Sequence, residues 1–196
     1  MSETTAWTER ILDAAPPEDG ATPAAWAREG QRLAVAIGLA SLFGAAIGLR
    51  VSGAAMLAHA IGVSLGILAV CGLAVPALAI ILALVNASVD ALALARATSR
   101  AAAAAGLLLA GIAPGAALFA LTVEDAITVT LVGVGGLALA GVLGVRSFVR
   151  TLAPHLSGSD ERARRLSMIA MPLFLVFAAI LGARIWWVML PIVRGQ

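Results

Sequence analysis

The sequence has no lysine and no tyrosine, one cysteine and two histidines, and only 12% of its 196 residues are charged. Each scarcity removes a class of function. A lone cysteine, Cys71, permits no disulfide within the chain, and its place in an apolar run reads as a buried thiol. His59 and His155 stand alone, with no C-x-x-C, no H-E-x-x-H and no P-loop. Gly133, Gly135, Gly136, Gly141 and Gly144 lie in an apolar helix pattern rather than after a strand, so they do not cradle phosphate. No metal or cofactor is expected. The thirteen basic residues, all arginine, exceed the eleven acidic ones by a net +2, too little to argue for nucleic acid. Residues 1–30 carry Glu3, Glu9, Asp13, Glu18, Asp19 and Glu29 and no early apolar stretch, so no secretory signal peptide is expected. The first hydrophobic segment, from near Leu33, is expected to stay as an anchor.

What the chain does have is apolar side chains: 61% are hydrophobic and the mean hydropathy is +1.01. Soluble domains run near 45–50% apolar and about 25% charged. This composition belongs in a bilayer. Its wealth of Ala, Gly, Leu and Val without lysine is what a GC-rich bacterial genome encodes, which makes the cell inner (plasma) membrane the expected location.

About 20 apolar residues in helix cross a 30 Å hydrocarbon core. Residues 33–49, 101–121, 126–145 and 168–185 qualify. Residues 51–89 hold no charge. That is long for one span and barely enough for two. A second span would need a turn, for which only Gly72 and Pro76 offer themselves. The favoured reading is one span over 61–86, kinked at Pro76, with 52–60 lying flat at the interface. The expected fold class is all-α, a polytopic transmembrane helical bundle of five spans (six as the alternative).

Ahead of the bundle (residues 31–196), residues 1–30 form an acidic segment with a short amphipathic helix. Trp7, Ile11 and Leu12 share one side of it, and Pro16-Pro17 ends it. Thr22-Pro23 is an N-cap with proline at the first helical position. Arginine placement orients the chain. Arg96 and Arg100 fall in a linker over 90–100, and Arg146, Arg150, Arg162, Arg164 and Arg165 in one over 146–165, whereas the turn between them holds Glu124 and Asp125. Arginine-bearing linkers stay in the cytoplasm, so the N-terminus is expected there too, with Arg50 and Arg194 on the disfavoured side. Thr122 and Ser157 each read as the N-cap opening the helix that follows.

Lipid is as apolar as leucine, so helices associate through small residues that let backbones approach. Four stripes have that spacing: Ala36, Ala40, Gly44 and Gly48; Ala58, Gly62 and Gly66; Ala102, Gly106 and Ala110; Gly136, Ala140 and Gly144. A tightly packed antiparallel bundle follows, rather than a wide pore.

Gly62-Val63-Ser64-Leu65-Gly66 matches G-x-S-x-G, the nucleophile motif of serine hydrolases. Those hydrolases place it on a strained strand-to-helix turn, and no strand is expected here. His59, five residues earlier, points some 140° away at about 100° per residue, and His155 lies in a linker. Ser64 is expected to bond back to a helix carbonyl, and the chain is not expected to be an enzyme. A transporter needs polar groups at mid-membrane. Asp90 ends a span, where Arg96 or Arg100 can pair with it. Arg184 is about 24 Å beyond Met168 at 1.5 Å per residue, close to an interface marked by Trp186-Trp187. Snorkelling is expected of Arg184; facing the bundle would make it the anion-binding residue of a permease.

The runs "GLAVPALAIILALVNAS", "GIAPGAALFALT" and "GVLGVRSF", over roughly residues 33–150, resemble the Yip-type (Rab-GTPase-interacting) membrane family and bacterial proteins of similar plan. The resemblance implies about five closely packed spans behind an acidic cytoplasmic segment, and a role in recruiting partners to membranes and shaping them. The function expected is that of a non-catalytic anchor or scaffold for protein partners or a second copy of the chain. Trp7, Asp90, Arg96, Arg100 and Arg184 are its candidate contacts. A small-solute permease or channel subunit is the alternative.

Overall fold

A computed structural model describes residues 21–50, 53–84, 87, 89–157 and 161–189. The expectations for Trp7, for the amphipathic helix, for the Ser157 cap and for Arg194 lie outside the described residues or side chains. Five helices make up the described fold: α1 (Pro23–Gly48), α2 (Gly53–Leu84), α3 (Ala91–Thr122), α4 (Ala126–Ser157) and α5 (Glu161–Met189). All five are long and apolar enough to cross a membrane. Large side chains on their outer faces are bare, Leu84 to 80% and Ile127 to 70%. In water that much exposed leucine and isoleucine would drive aggregation; in lipid it is solvated.

Residues 53–84 form one continuous helix with Pro76 inside it. This settles five spans over six. It also corrects the flat interfacial lead-in over 52–60. Residues 53–60 are the first part of α2, held along α1 because Gly44 and Gly48 present no side chains there. Proline does not end the helix because in lipid a broken helix would leave backbone groups without partners.

The described residues of the two expected arginine linkers are helix as well, over 91–100, 146–157 and 161–165. Asp90 caps α3, its Oδ1 accepting the Ala93 N–H, and the alanine-rich run that follows carries Arg96 and Arg100 as helical residues. Arg146 and Arg150 lie on α4, and His155 is in its last turn. At about 48 Å for 32 residues, α3 and α4 exceed the hydrocarbon core and carry their arginine-bearing ends beyond it.

Thr22 caps α1, accepting the Ala25 N–H at 3.2 Å, with Pro23 next, and the helix runs past Trp26 without a break. Thr122 is not the cap of α4. It is the last residue of α3, its hydroxyl donating to the Leu118 carbonyl at 2.9 Å. Asp125 caps α4 instead, accepting N–H groups of Thr128 at 2.9 Å and Ile127 at 3.3 Å. A carboxylate beside the first helical residue accepts those donors better than a hydroxyl four residues back.

The helices touch mainly in the spatial order α4, α3, α1, α2, α5, with α1 and α3 the most intimate pair. One core cluster centres on Phe43, Ile47, Leu109 and Val129, and a second on Leu78, Leu82, Leu152 and Phe174.

Candidate functional site

The polar groups lie at the two ends of the bundle. At one end, Arg50 donates to the carbonyl of Glu124 across the α1–α2 and α3–α4 connections. That contact explains an arginine at the disfavoured end: it serves the acidic turn. The Asp125 carboxyl is held below its usual range, chiefly by the hydroxyl and N–H of Thr128, with a smaller contribution from Arg50.

The opposite end carries most of the arginines. There Glu29, whose side chain is 11% exposed, receives Arg32 at 2.7 Å and the hydroxyl of Ser99, tying α1 to α3. Sequence reasoning assigned Glu29 only to the acidic segment and passed over Ser99. The available signal was a glutamate one turn before Arg32, which reads as a local ion pair. Nothing in sequence brings Ser99 to it.

A cleft of about 470 Å³ opens between α3 and α4 beside this tie. Arg100 enters from α3; Arg146, Ser147, Arg150 and Thr151 come from α4; Ala104 and Leu143 form its apolar side. Among the described residues no carboxylate pairs with Arg100, Arg146 or Arg150. Arg100 Nε is buried without a hydrogen-bond partner. The Thr151 hydroxyl already donates to the Ser147 carbonyl at 2.9 Å. Such a cleft concentrates positive charge and N–H donors. A second cavity, of about 250 Å³, lies between α2 and the start of α3 beside Leu82, Val89 and Asp90.

The other expected contacts are scattered. Asp90 caps its own helix and makes no ion pair with Arg96 or Arg100 among the described residues. Arg96 is six residues on, about 240° further round, and Arg100 about 15 Å up the axis, so neither can reach a carboxylate turned toward the helix start. Arg184 is exposed on α5. His59 is buried, its Nδ1 2.7 Å from the Ala55 carbonyl oxygen, and Ser64 donates to the Ala60 carbonyl at 2.9 Å. The hydrolase motif is thus helix, with its hydroxyl turned back on its own backbone.

The glycines of the four stripes sit at the contacts, whereas Ala58, expected among them, is exposed. A Cβ on Gly44 would stand 2.5 Å from the His59 carbonyl oxygen, one on Gly48 2.5 Å from Met56 Cα, and one on Gly106 2.5 Å from the Ala36 carbonyl oxygen. On Gly136 it would meet the Phe43 ring at 2.5 Å, and on Gly144 the Ala101 carbonyl oxygen at 3.3 Å. On Gly66 it would meet the indole of Trp186. Gly62 is buried on α2.

No family model, no curated protein and no solved structure matches the chain.

Proposed function

We propose that the protein is a non-catalytic membrane anchor that organises partner proteins through its exposed ends. The observation that carries this reading is the closed centre of the bundle. Where a permease needs polar groups along a passage, α1, α2 and α3 meet backbone to backbone at Gly44, Gly48 and Gly106. The charged side chains of the described residues lie toward the two ends of the bundle rather than at its middle, and Arg184 is exposed. By the positive-inside rule the end with Arg96, Arg100, Arg146 and Arg150 faces the cytoplasm, together with the N-terminus, and a bacterial inner membrane fits the composition. The recruiting role implied by the Yip-type likeness points the same way.

The test compares the full chain with one lacking residues 1–20, a deletion that leaves the Thr22 cap intact. Both are purified from native membranes after cross-linking. The full chain retains specific partners, and the shortened chain loses them at an unchanged melting temperature. Liposome flux of a small anion that falls with Arg184→Ala would overturn the anchor reading in favour of the permease.

A further inference from the structure

We infer that the cleft between α3 and α4 is a binding site for a phosphate group, and that an anionic lipid headgroup supplies it. This goes beyond the anchor reading and does not depend on it.

Three observations converge. The first is charge. Arg100, Arg146 and Arg150 meet from two helices in one cleft of about 470 Å³, and no acidic side chain neutralises them among the described residues. Guanidinium groups repel one another, so gathering three without a counterion favours an anion among them. The second is an unmet donor. Arg100 Nε is buried and unpartnered, which is unfavourable unless something accepts from it. A phosphate has oxygens enough to accept from Nε and from the neighbouring arginines together, in the forked geometry guanidinium prefers. The Ser147 hydroxyl lies on the same wall and donates no hydrogen bond among the described residues, whereas Thr151 donates to its own helix.

The third is depth. Arg100 lies about 33 Å along α3 from Thr122, and Arg146 about 30 Å along α4 from Ala126, at 1.5 Å per residue. Both distances match one hydrocarbon thickness of about 30 Å. The cleft therefore opens at headgroup level. From Arg146 toward mid-membrane, α4 presents Val142 and Leu139, 64% and 50% exposed. That strip suits an acyl chain descending from a headgroup held in the cleft. A soluble phosphate has no use for it, which favours the lipid as the source.

The experiment uses the full chain in nanodiscs of phosphatidylcholine doped with spin-labelled phosphatidylglycerol, and reads the fraction of label immobilised. The wild type should hold the anionic lipid preferentially over labelled phosphatidylcholine. The triple change Arg100→Gln, Arg146→Gln, Arg150→Gln should lower that preference on the order of a hundredfold, each arginine supplying its share of the attraction. Arg184→Gln, which removes an exposed arginine at the other end, should leave it unchanged. Ala104→Trp keeps every charge and sets an indole into the cleft from its apolar side, narrowing the space between the arginines. It should lower the preference too, and it decides the matter if the triple variant fails to fold. Unchanged preference in Ala104→Trp, or an equal loss in Arg184→Gln, would overturn the site in favour of diffuse surface attraction. Inorganic phosphate is the competing arm. Release of the label at millimolar phosphate, with matched sulfate-free chloride as control, would overturn the lipid as the source and leave a soluble anion as the ligand.

Discussion

The seam joining α1 to α2 and α3 and the attachment of α5 solve the same problem differently. Within the seam, contact is between backbones. Gly44 faces the His59 carbonyl, Gly48 the Met56 Cα and Gly106 the Ala36 carbonyl, and Ala36 and Ala40 are wholly buried beside them. The attachment of α5, mostly to α2, is made of large side chains. Phe174 meets Phe148 with ring centroids 6.2 Å apart, and Trp186 lies over Gly66. The outer face of α5 is bare, with Ile169 and Leu173 each 70% exposed. A backbone cannot step aside, whereas an indole can turn. In a bilayer, where helix association gains nothing from apolar burial alone, the seam is rigid and the fifth helix is the element with room to move.

The sharpest way to break this contrast is Gly106→Leu. Its side chain has nowhere to go but into the Ala36 carbonyl, so α3 must leave α1. Overpacking of this kind costs about 3 kcal/mol or more, and loss of the monodisperse folded species in a thermal scan is the expected result. Survival of Gly106→Leu at wild-type melting temperature would mean that the seam is looser than its geometry.

Trp186→Ala sharpens the other side. Removing a half-buried indole whose place lipid can refill should destabilise by only about 1–2 kcal/mol, below the range for a fully buried aromatic. Hydrogen exchange should rise in α5 and stay unchanged in α1 and α3. Gly66→Ala should be milder still, because Trp186 can swing aside. An exchange increase that spreads to α1 would unite the two regions as one cooperative unit.

The smallest effect belongs to the connecting turn. Asp125 has its carboxyl held below the usual range by Thr128 and Ile127. Its capping contribution is therefore present above the ordinary carboxylate range and is lost as pH falls through the lowered folded value. Asp125→Ala should show a slightly lower melting temperature than wild type at neutral pH, and the two curves should converge in acid. A gap that persists at the lowest pH would assign the effect to packing rather than charge.

Much of this was legible in advance. Five spans, the Thr22-Pro23 start, the Ser64 back-bond and the exposed Arg184 all follow from apolar length, capping chemistry and helical angle, which are local quantities. The departures have two causes: residues 53–60, which hold no charge, stand along α1 because Gly44 and Gly48 admit them there, and the arginine-bearing stretches are helical. The charge of 90–100 and 146–165 reads as linker, yet arginine is a good helix former and only lipid excludes it. The same reading gives Thr122 to the wrong helix. The cleft was beyond local reading because Arg100 was weighed only against Asp90 on its own helix, and its real neighbours stand on α4.

Sequence alone determined that this chain belongs in lipid and crosses it as helices, since a bilayer admits no unsatisfied backbone and roughly 20 apolar residues meet its thickness. Only the tertiary structure decided which polar groups meet: Glu29 with Ser99, Arg50 with Glu124, and the three arginines with one another. Those partners are far apart in the chain, and it is the close approach of side-chain-free helix backbones that sets which turn faces which.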